Sequence, residues 1–295
     1  MFGLIHKKAT TLDAMLRHNL LHMRDLLTGE LLIFFVFSAL FLGLLVWLRR
    51  TGSYRFRIRP VMARPTQMGR EVFNSTRAFV IYNASQLVMR IAILAFGFVL
   101  TFDRPLPLWE VVLSYPLIIL AHDAYFYWTH WLMHRPALFR PIHWEHHRSR
   151  QPTVMTAHSF SVSESIVQGL FPILYVTFLP CTFPTLIFFY MVMIVHDVAI
   201  HSGVDVFPRW LVVGRFGFVC GAVHHDIHHA IGRTNYGLYT RIWDRLMKTE
   251  HPEFERIFEY VRSPQNDGLA YRRLLGRPAP ELGPDLAEPD AIRVS

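Results

Sequence analysis

The chain has 295 residues, a net charge of +8, 52% hydrophobic and 14% aromatic residues, and two cysteines. It is more apolar than an ordinary soluble domain, and two cysteines suit neither a disulfide framework nor a zinc–thiolate site. The positive charge lies largely beside apolar segments and forms no basic stripe interleaved with aromatics. This pattern indicates a membrane surface as the partner and argues against nucleic acid.

The first predicted elements are an amphipathic segment and a membrane span. Residues 1–30 are mixed polar and amphipathic and show no secretory signal. Residues 31–48 form an uncharged run of eighteen residues, close to the roughly 20 needed to cross the hydrocarbon core. Residues 49–77 then contain eight arginines and a single acid, Glu71. The positive-inside rule therefore predicts that this loop is cytoplasmic.

Two further spans are predicted before the first histidine-rich segment. Residues 78–101 form a candidate span that polar residues weaken, and Arg90 is expected to face the protein interior or to snorkel. A short turn at residues 103–105 follows on the far side. Residues 106–121 then return, and they bring His122 to the cytoplasmic surface.

Residues 161–200 are predicted to form a membrane hairpin of two apolar halves. The turn falls at residues 180–184, and Pro172 is expected to kink the first half. Both ends of the hairpin then return to one face, which places residues 122–158 and 196–229 on the same side. Six arginines predict that this side is cytoplasmic: Arg135, Arg140, Arg148, Arg150, Arg209 and Arg215.

These elements predict an all-α integral membrane bundle of four to five spans, with a cytoplasmic helical cap formed by the histidine-rich segments. The bundle and cap are expected within residues 31–261, and the histidine boxes within residues 110–250. Residues 262–295, which are rich in proline and scattered charge, are expected to be a poorly ordered tail.

A duplicated histidine signature is the strongest functional feature of the chain. Two His-x-x-His-His boxes, which we call the first and second box, follow an upstream histidine pair. These histidines are His130 and His134, then His143, His146 and His147, then His225, His228 and His229. On a helix, such spacings place side chains on one face, about one turn apart. Two triplets and a pair exceed what one ion can bind, so they predict a site for two transition-metal ions.

Other polar residues near the boxes are candidates for the same site. His196 and His201, at the cytoplasmic end of the hairpin, are candidate ligands, with helix-end solvation as the alternative. Asp226 is a candidate acceptor for the outer nitrogen of a ligating imidazole, and surface solvation is again the alternative. Three more carboxylates are candidates for the same acceptor role, with the same alternative: Asp123, Glu145 and Asp197. The roles of three histidines stay open: His122, His158 and His224.

Over residues 110–250 the chain resembles the fatty acid hydroxylase/sterol desaturase superfamily of integral-membrane non-haem di-iron enzymes. Besides the boxes, the resemblance rests on short motifs, namely Asp123-Ala-Tyr-Phe-Tyr-Trp-Thr-His130, His201-Ser-Gly, Asn235-Tyr-Gly and Trp243-Asp-Arg. The motifs look most like the sterol C4-methyl oxidase branch. In that branch a histidine or carboxylate often precedes His-Ser-Gly by five residues, which supports His196. The family's glutamate at the hairpin entrance would match Glu164, which is therefore a catalytic candidate beside Asp226.

The chain departs from the family pattern at two places. Trp131 stands where the family commonly has arginine, and Lys248-Thr249 stands where it has Gly-Thr. The first change affects local contacts of the site and not the ligand set. The second means that no substrate can be carried over from any one branch.

The resemblance and the ligand chemistry together imply an O2-dependent di-iron hydroxylase that acts on a C–H bond of a membrane lipid, either fatty acyl or sterol-like. Its cofactors would be two iron ions, with O2 as co-substrate. The sequence contains no flavin, nicotinamide or cytochrome b5-like motif, so electrons are expected from a ferredoxin or cytochrome b5-type carrier and its reductase. A desaturase with the same centre is the first alternative. A non-enzymatic haem-binding or metal-transport protein is the second.

Overall fold

The computed structural model describes residues 2–51, 57–58, 63–95 and 105–266, and most of them are helical. The helices and one π-helical turn are, in chain order, α1 (Phe2–Arg50), α2 (Pro65–Ala95), α3 (Leu108–Met133), α4 (Pro136–Leu138), the π-helical turn (Phe139–His143), α5 (Trp144–His147), α6 (Val162–Gly169), α7 (Phe171–Phe178), α8 (Phe183–His201), α9 (Arg209–Val212), α10 (Ala222–Ile231), α11 (Ile242–Leu246) and α12 (Phe254–Arg262). Within these residues β-structure is limited to two isolated bridges, Arg57–Val204 and Val219–Thr240.

Two described helices are long and apolar enough to cross a membrane. They are Arg24–Arg50 within α1 and the whole of α8, Phe183–His201. Because α1 runs unbroken from Phe2, the expected amphipathic segment and the expected first span form one helix. Its outer face exposes Leu32 (64%), Leu40 (60%) and Trp47 (59%). Apolar exposure of this kind suits a lipid environment better than water, and the total of four to five spans stays a prediction.

The next predicted spans differ in extent from the helices. α2 begins at Pro65, well before the expected start at Ala78, because the polar residues after Pro65 continue the same helix. Residues 96–101 of that expected span, and residues 103–104 of the expected turn, lie outside the described residues. α3 continues past the expected end of its span at Ala121 and ends at Met133. It therefore carries His130 in its last turn, and His134 follows as the residue that caps its end.

The segment predicted to form the hairpin is helical on both sides of its turn. Its first half is divided into α6 and α7 at Leu170, two residues before Pro172, whose ring cannot continue the hydrogen-bond ladder of the preceding helix. The Thr182 side chain accepts a hydrogen bond from the Thr185 backbone N–H and so begins α8. α8 ends at His201, so a histidine lies where the returning half of the hairpin ends.

Three apolar cores hold these helices in place. α1, α2 and α8 share a core around Phe34, Phe79 and Ile194. α3, α7 and α8 share a second core around Ile118, Phe171 and Phe189. The cap, formed by α9, α10 and α12, packs around Val212, Ile227 and Phe258. The histidine-bearing helices α3, α8 and α10 are thus each fixed by buried apolar contacts, which hold their side chains in defined positions.

Both ends of α10, the helix of the second box, are stabilised by specific residues. At its start, Asp205 Oδ2 accepts a hydrogen bond of 3.0 Å from the Val223 backbone N–H. At its end, Gly232 has φ 74°, a left-handed conformation that glycine adopts without strain, and its N–H bonds to His228 O. The second box therefore lies on a short helix with well-defined limits.

Candidate metal centre

Nine histidines form two adjoining clusters in the described part of the chain. In each cluster the ligand nitrogens all lie within 4.8 Å of one another. The first cluster contains His130, His134, His143, His147 and His228. The second cluster contains His146, His201, His225 and His229. All of these residues except the half-buried His134 are buried. Nine of the ten histidines predicted from sequence as ligands are thus brought together.

Each box is divided between the two clusters. From the first box, His143 and His147 join the first cluster and His146 joins the second. The second box has the reverse division, because its middle histidine, His228, joins the first cluster. On a helix, positions i and i+4 differ by about 40°, whereas i+3 lies about 60° away on the other side. The single face predicted for each triplet is therefore broad enough to contact two neighbouring sites.

Hydrogen bonds fix the orientation of several rings. The Nδ1 atom of His130 lies 2.8 Å from Tyr236 O, and that of His228 lies 2.8 Å from Thr234 O. The Nδ1 atom of His143 lies 2.7 Å from Glu164 Oε1. A carbonyl or carboxylate can only accept, so in each neutral ring Nδ1 carries the hydrogen and donates it. The Nε2 lone pairs are left available to a metal.

The available nitrogens face one another at distances that suit shared metal ligation. His130 Nε2 and His143 Nε2 are 3.0 Å apart, although neither carries a hydrogen in this arrangement. Two lone pairs at this distance repel unless a cation lies between them. Two ligands at right angles on an ion with bonds of about 2.1 Å would lie about 3 Å apart. The second cluster has a similar pair, His201 Nε2 and His225 Nε2, at 2.9 Å.

Further ring nitrogens in the clusters are buried and have no hydrogen-bond partner among the described residues. They include His134 Nε2 in the first cluster and both nitrogens of His229 in the second. Buried polar atoms are nearly always paired, so unpaired nitrogens that converge on one point call for a ligand. The donor set therefore fits two metal ions, one in each cluster.

The electrostatic environment keeps the imidazoles neutral. Burial lowers the pKa of His130 to about 4. Burial lowers the pKa of His134 and of all six box histidines well below the usual value, and nearby imidazoles lower it further. A neutral imidazole is the form that binds a metal. These histidines are accordingly poised for ligation at neutral pH and need not lose a proton first.

A loop that sequence reasoning missed supplies carbonyl acceptors to the centre. Residues 234–238 provide the carbonyl groups that orient His130 and His228. Asp244 holds this loop by accepting from the Tyr236 and Gly237 N–H groups, both at 2.8 Å. Asp123, predicted as an acceptor for a histidine, instead accepts from the backbone just after the loop, at Tyr239 and Thr240. The Asn-Tyr-Gly and Trp-Asp-Arg motifs were the only sequence signals for this arrangement.

The predicted carboxylates have different surroundings. Glu164 is buried against His143, where its Oε1 atom accepts from the ring. Asp226 is buried on α10 between the histidines of the second box. Asp197 Oδ1 lies 3.2 Å from His201 Nδ1, and its Oδ2 lies 3.7 Å from His158 Nε2. Glu145 accepts from Asn74 at 2.9 Å, away from the histidines.

Four of the remaining histidines lie outside both clusters. The sequence predicts His196 as a tenth ligand, whereas its Nε2 atom lies 2.8 Å from Leu238 O. That carbonyl engages the nitrogen, so His196 is placed apart from the nine. His122 Nδ1 lies 2.9 Å from the Tyr239 hydroxyl. His158 lies behind the second cluster, next to Asp197, and His224 lies 3.5 Å from Asp244.

An apolar cleft lies near both clusters, although none of the nine clustered histidines lines it. It lies among α2, α3, α6, α7 and α8, and apolar side chains such as Phe189 and Met193 line it. Two aromatic residues separate it from the metal ligands. The Phe126 ring is 5.1 Å from that of His130, and the Phe160 ring is 5.1 Å from that of His146. The cleft therefore lies one aromatic side chain away from a ligand of each cluster.

Comparisons with known proteins identify similar sequences. Residues 115–249 match the fatty acid hydroxylase family. A Delta(7)-sterol 5(6)-desaturase of Aspergillus fumigatus is 27% identical over 175 residues, 58% of this chain and 46% of the relative. Human lathosterol oxidase is 28% identical over 144 residues, 49% of this chain and 47% of the relative. Human cholesterol 25-hydroxylase is 34% identical over 134 residues, 44% of this chain and 48% of the relative.

The aligned region spans about half the length of these relatives. No solved structure matches the chain at a significant level. The family match contains all nine clustered histidines, and the resemblance inferred from the boxes is confirmed. Over residues 115–249 this chain is therefore similar to the fatty acid hydroxylase family and to the three relatives named above.

Proposed function

We propose that the protein is a membrane-embedded, O2-dependent di-iron hydroxylase that acts on a C–H bond of a membrane lipid, either fatty acyl or sterol-like. The two adjoining all-histidine clusters carry this proposal. Nitrogen-rich ligand sets of this kind suit a redox-active metal such as iron. When bound, the two ions would supply the activation of O2 that an unactivated C–H bond requires.

In this proposal the chain binds, orients and shields the reacting groups. The nine clustered histidines are the ligands. Glu164 fixes the ring of His143, and the Tyr236 carbonyl group fixes that of His130, so the ligands need little reorganisation when an ion binds. Asp226, buried within the second box, is proposed as a further carboxylate of the site. Burial of the cluster excludes bulk water from the reaction.

The cleft beneath the clusters is the proposed lipid site. Its apolar lining would hold the lipid, and Phe126 and Phe160 would direct one carbon towards the ligand set. Polar side chains, including Tyr190 and Gln86, which bond to each other at 2.9 Å, offer contacts for an oxygen of the lipid. Access from the bilayer would follow from the membrane position proposed for α8.

Hydroxylation inserts one oxygen atom of O2 into the C–H bond and reduces the other to water, which consumes two electrons and two protons. We propose that a ferredoxin or cytochrome b5-type carrier, with its reductase, delivers the electrons at a cytoplasmic face that carries the histidine boxes. The arginines around the boxes, such as the 44% exposed Arg148, would attract an acidic carrier.

A lipid desaturase is the second candidate, because the relatives above are by name a sterol desaturase, an oxidase and a hydroxylase. The same centre would then remove a second hydrogen in place of oxygen insertion. Product analysis separates the two reactions, because the product either gains one oxygen atom or loses two hydrogen atoms.

The test combines metal analysis with lipid analysis. Purified, iron-reconstituted wild-type protein should contain about two iron ions per chain and show no haem absorption band. Membranes that contain the protein, O2, a carrier and its reductase should yield an oxygenated lipid that His134→Ala membranes lack. His251→Ala, which changes a histidine outside both clusters, is the matched control and should retain activity. One ion per chain, or an oxidised product that is also formed by His134→Ala, would contradict the proposal.

A further inference from the structure

Glu71 on α2 has a fully buried carboxylate that receives four hydrogen bonds. Its Oε1 atom accepts from Ser149 Oγ at 2.6 Å, from Thr156 Oγ1 at 2.9 Å and from Gln67 Nε2 at 2.8 Å. Its Oε2 atom accepts from Thr153 Oγ1 at 2.6 Å. The exposed fraction of Glu71 is 0%. A buried carboxylate is costly unless donors surround it, so this geometry requires the three hydroxyl groups to stay in place.

The three hydroxyl groups come from one segment, residues 145–160, which begins in the first box and which we call the box-loop. Other side chains of α2 bind the same segment. Asn74 donates to Glu145 Oε1 at 2.9 Å, and Arg77 donates to the Phe160 carbonyl at 2.8 Å. Side chains of α2 therefore form hydrogen bonds with the box-loop from its start to its end, and Glu71 makes the largest number of these bonds.

The far end of the box-loop supports the second cluster. The Phe160 ring packs 5.1 Å from that of His146. His158 Nε2 lies 3.7 Å from Asp197, whose other oxygen lies 3.2 Å from His201 Nδ1. Two of the four second-cluster histidines are thus held through residues that the box-loop carries.

The first cluster has a single ligand in the box-loop, His147. Its other oriented ligands are held from elsewhere: His130 and His228 by carbonyl groups of residues 234–238, and His143 by Glu164 on α6. None of these three supports contacts Glu71. The box-loop therefore supports the second cluster through His146, His158 and Phe160, but the first cluster through His147 alone.

From this difference we infer that Glu71 is a positioning residue that acts mainly on the second metal site. It acts through the box-loop and touches neither cluster. The inference rests on the proposed function, because it assumes that each cluster binds an ion. Supports that lie one contact behind a ligand typically change metal affinity by about 10- to 100-fold, and an effect of this size is expected at the second site, with a smaller effect at the first site through His147.

The test measures iron binding to the full-length protein by titration, with content per chain and affinity for each ion. Glu71→Ala should bind the second-cluster ion at least about tenfold more weakly and the first-cluster ion with a clearly smaller loss of affinity. Glu71→Gln keeps an oxygen that accepts from Ser149 and Thr156, and it should restore the second ion. The visible spectrum of Co2+-substituted Glu71→Ala should match that of His229→Ala, which lacks a second-cluster ligand, and should differ from that of His134→Ala.

A smaller change keeps the test decisive if Glu71→Ala does not fold. Thr153→Val removes the single hydroxyl that donates to Oε2 and should weaken the same ion to a lesser degree. Thr76→Val is the matched control, because its hydroxyl bonds to the Val72 carbonyl of its own helix. Equal weakening of both ions, or wild-type binding of both in Glu71→Ala and Thr153→Val, would overturn the role of Glu71. A wild-type protein that binds fewer than two ions would instead contradict the proposed function.

Discussion

The Nε2 atoms of His147 and His228 lie 2.9 Å apart, although these histidines belong to different boxes. His147 lies at the end of α5 and His228 lies within α10, so the contact joins two separate helices across the first cluster. The second cluster joins the same two helices through His146 and His229, whose rings are 4.6 Å apart. Each box thus contributes to both sites, and neither site can be complete with one box.

The boxes are therefore predicted to act as one unit. His146→Ala and His228→Ala should each abolish turnover, and the double variant should be no worse than either single variant. Because His146 lies in the second cluster and His228 in the first, each single variant should lose a different ion. Steady-state turnover and iron content per chain test this. Near wild-type turnover by His228→Ala would contradict a shared centre, and His251→Ala again serves as the control.

Much of the fold can be predicted from hydropathy and turn residues. The hairpin is predictable because two apolar runs flank the Pro-rich segment at residues 180–184, and Pro172 marks the division between α6 and α7. The start of α2 is not predictable in this way. Its first turns are rich in polar residues, and their sequence resembles a cytoplasmic loop. Tertiary hydrogen bonds nevertheless stabilise these turns as helix, because Glu71 accepts from Ser149 and Asn74 donates to Glu145.

The candidate site, like the fold, is only partly predictable from the sequence. Side-chain ligands are predictable because histidines at helical spacing are chemically distinctive. The carbonyl groups of Thr234 and Tyr236, which orient two of the rings, leave no sequence signature because every residue has a carbonyl group. The division of each box between two clusters also depends on how α5 and α10 are packed. Spacing alone cannot supply that information.

Glu164 is predicted to strengthen metal binding at the first cluster. Its carboxylate accepts from His143 Nδ1 at 2.7 Å and so makes the opposite nitrogen a better donor to a metal. Glu164→Gln replaces the carboxyl group by an amide, which is a weaker acceptor for the ring N–H, and should lower affinity for one ion by about 10- to 100-fold. Glu145→Gln is the matched control, since Glu145 also lies beside the first box but contacts Asn74. Equal iron affinities of both variants and wild type would argue against this role.

Acid is predicted to destabilise the metal-free protein. Burial lowers the pKa of His130 to about 4, whereas an exposed imidazole has a pKa of about 6.5. Between these pH values the unfolded state binds more protons, so the free energy of unfolding falls as the pH falls from 6.5 towards 4. With about 1.4 kcal/mol for each pKa unit, His130 alone would account for about 3 kcal/mol. The pKa values of the six box histidines are also lowered, so these residues add to the loss of stability in acid.

Denaturation of the metal-free protein in detergent at several pH values measures this effect. Stability should change little from about pH 9 to 7.5 and fall clearly by about pH 5.5, because the imidazoles are already neutral above their unfolded pKa. A stability that is constant over the acidic range would show that the buried histidines become protonated without cost, contrary to the prediction.

Gly169 is predicted to set the width of the cleft. A Cβ atom at this position would lie 2.8 Å from Tyr82 Cα and 2.8 Å from Ser85 Oγ, both on α2. Gly169→Ala should force α2 and α6 apart, with a loss of about 1–3 kcal/mol in stability and altered lipid turnover. Gly69→Ala, on α2 with open space around it, is the control and should stabilise by about 0.5–1 kcal/mol. Similar effects of the two substitutions on turnover would mean that the close approach is unimportant.

The electron route is predicted to depend on charge around the boxes. Arg148 is 44% exposed and lies 3.6 Å from Glu145, and Arg150 follows it in the box-loop. If an acidic carrier docks here, the rate at limiting carrier should fall as salt rises, because exposed charges are screened over about 8 Å at physiological ionic strength. Charge reversal of Arg148 and Arg150 together should weaken the apparent carrier affinity. Arg24→Glu, on α1 and outside the His-box region, should not change it. An unchanged affinity in the Arg148/Arg150 variant, with normal metal content and membrane insertion, would show that these arginines serve topology or bind anionic lipid.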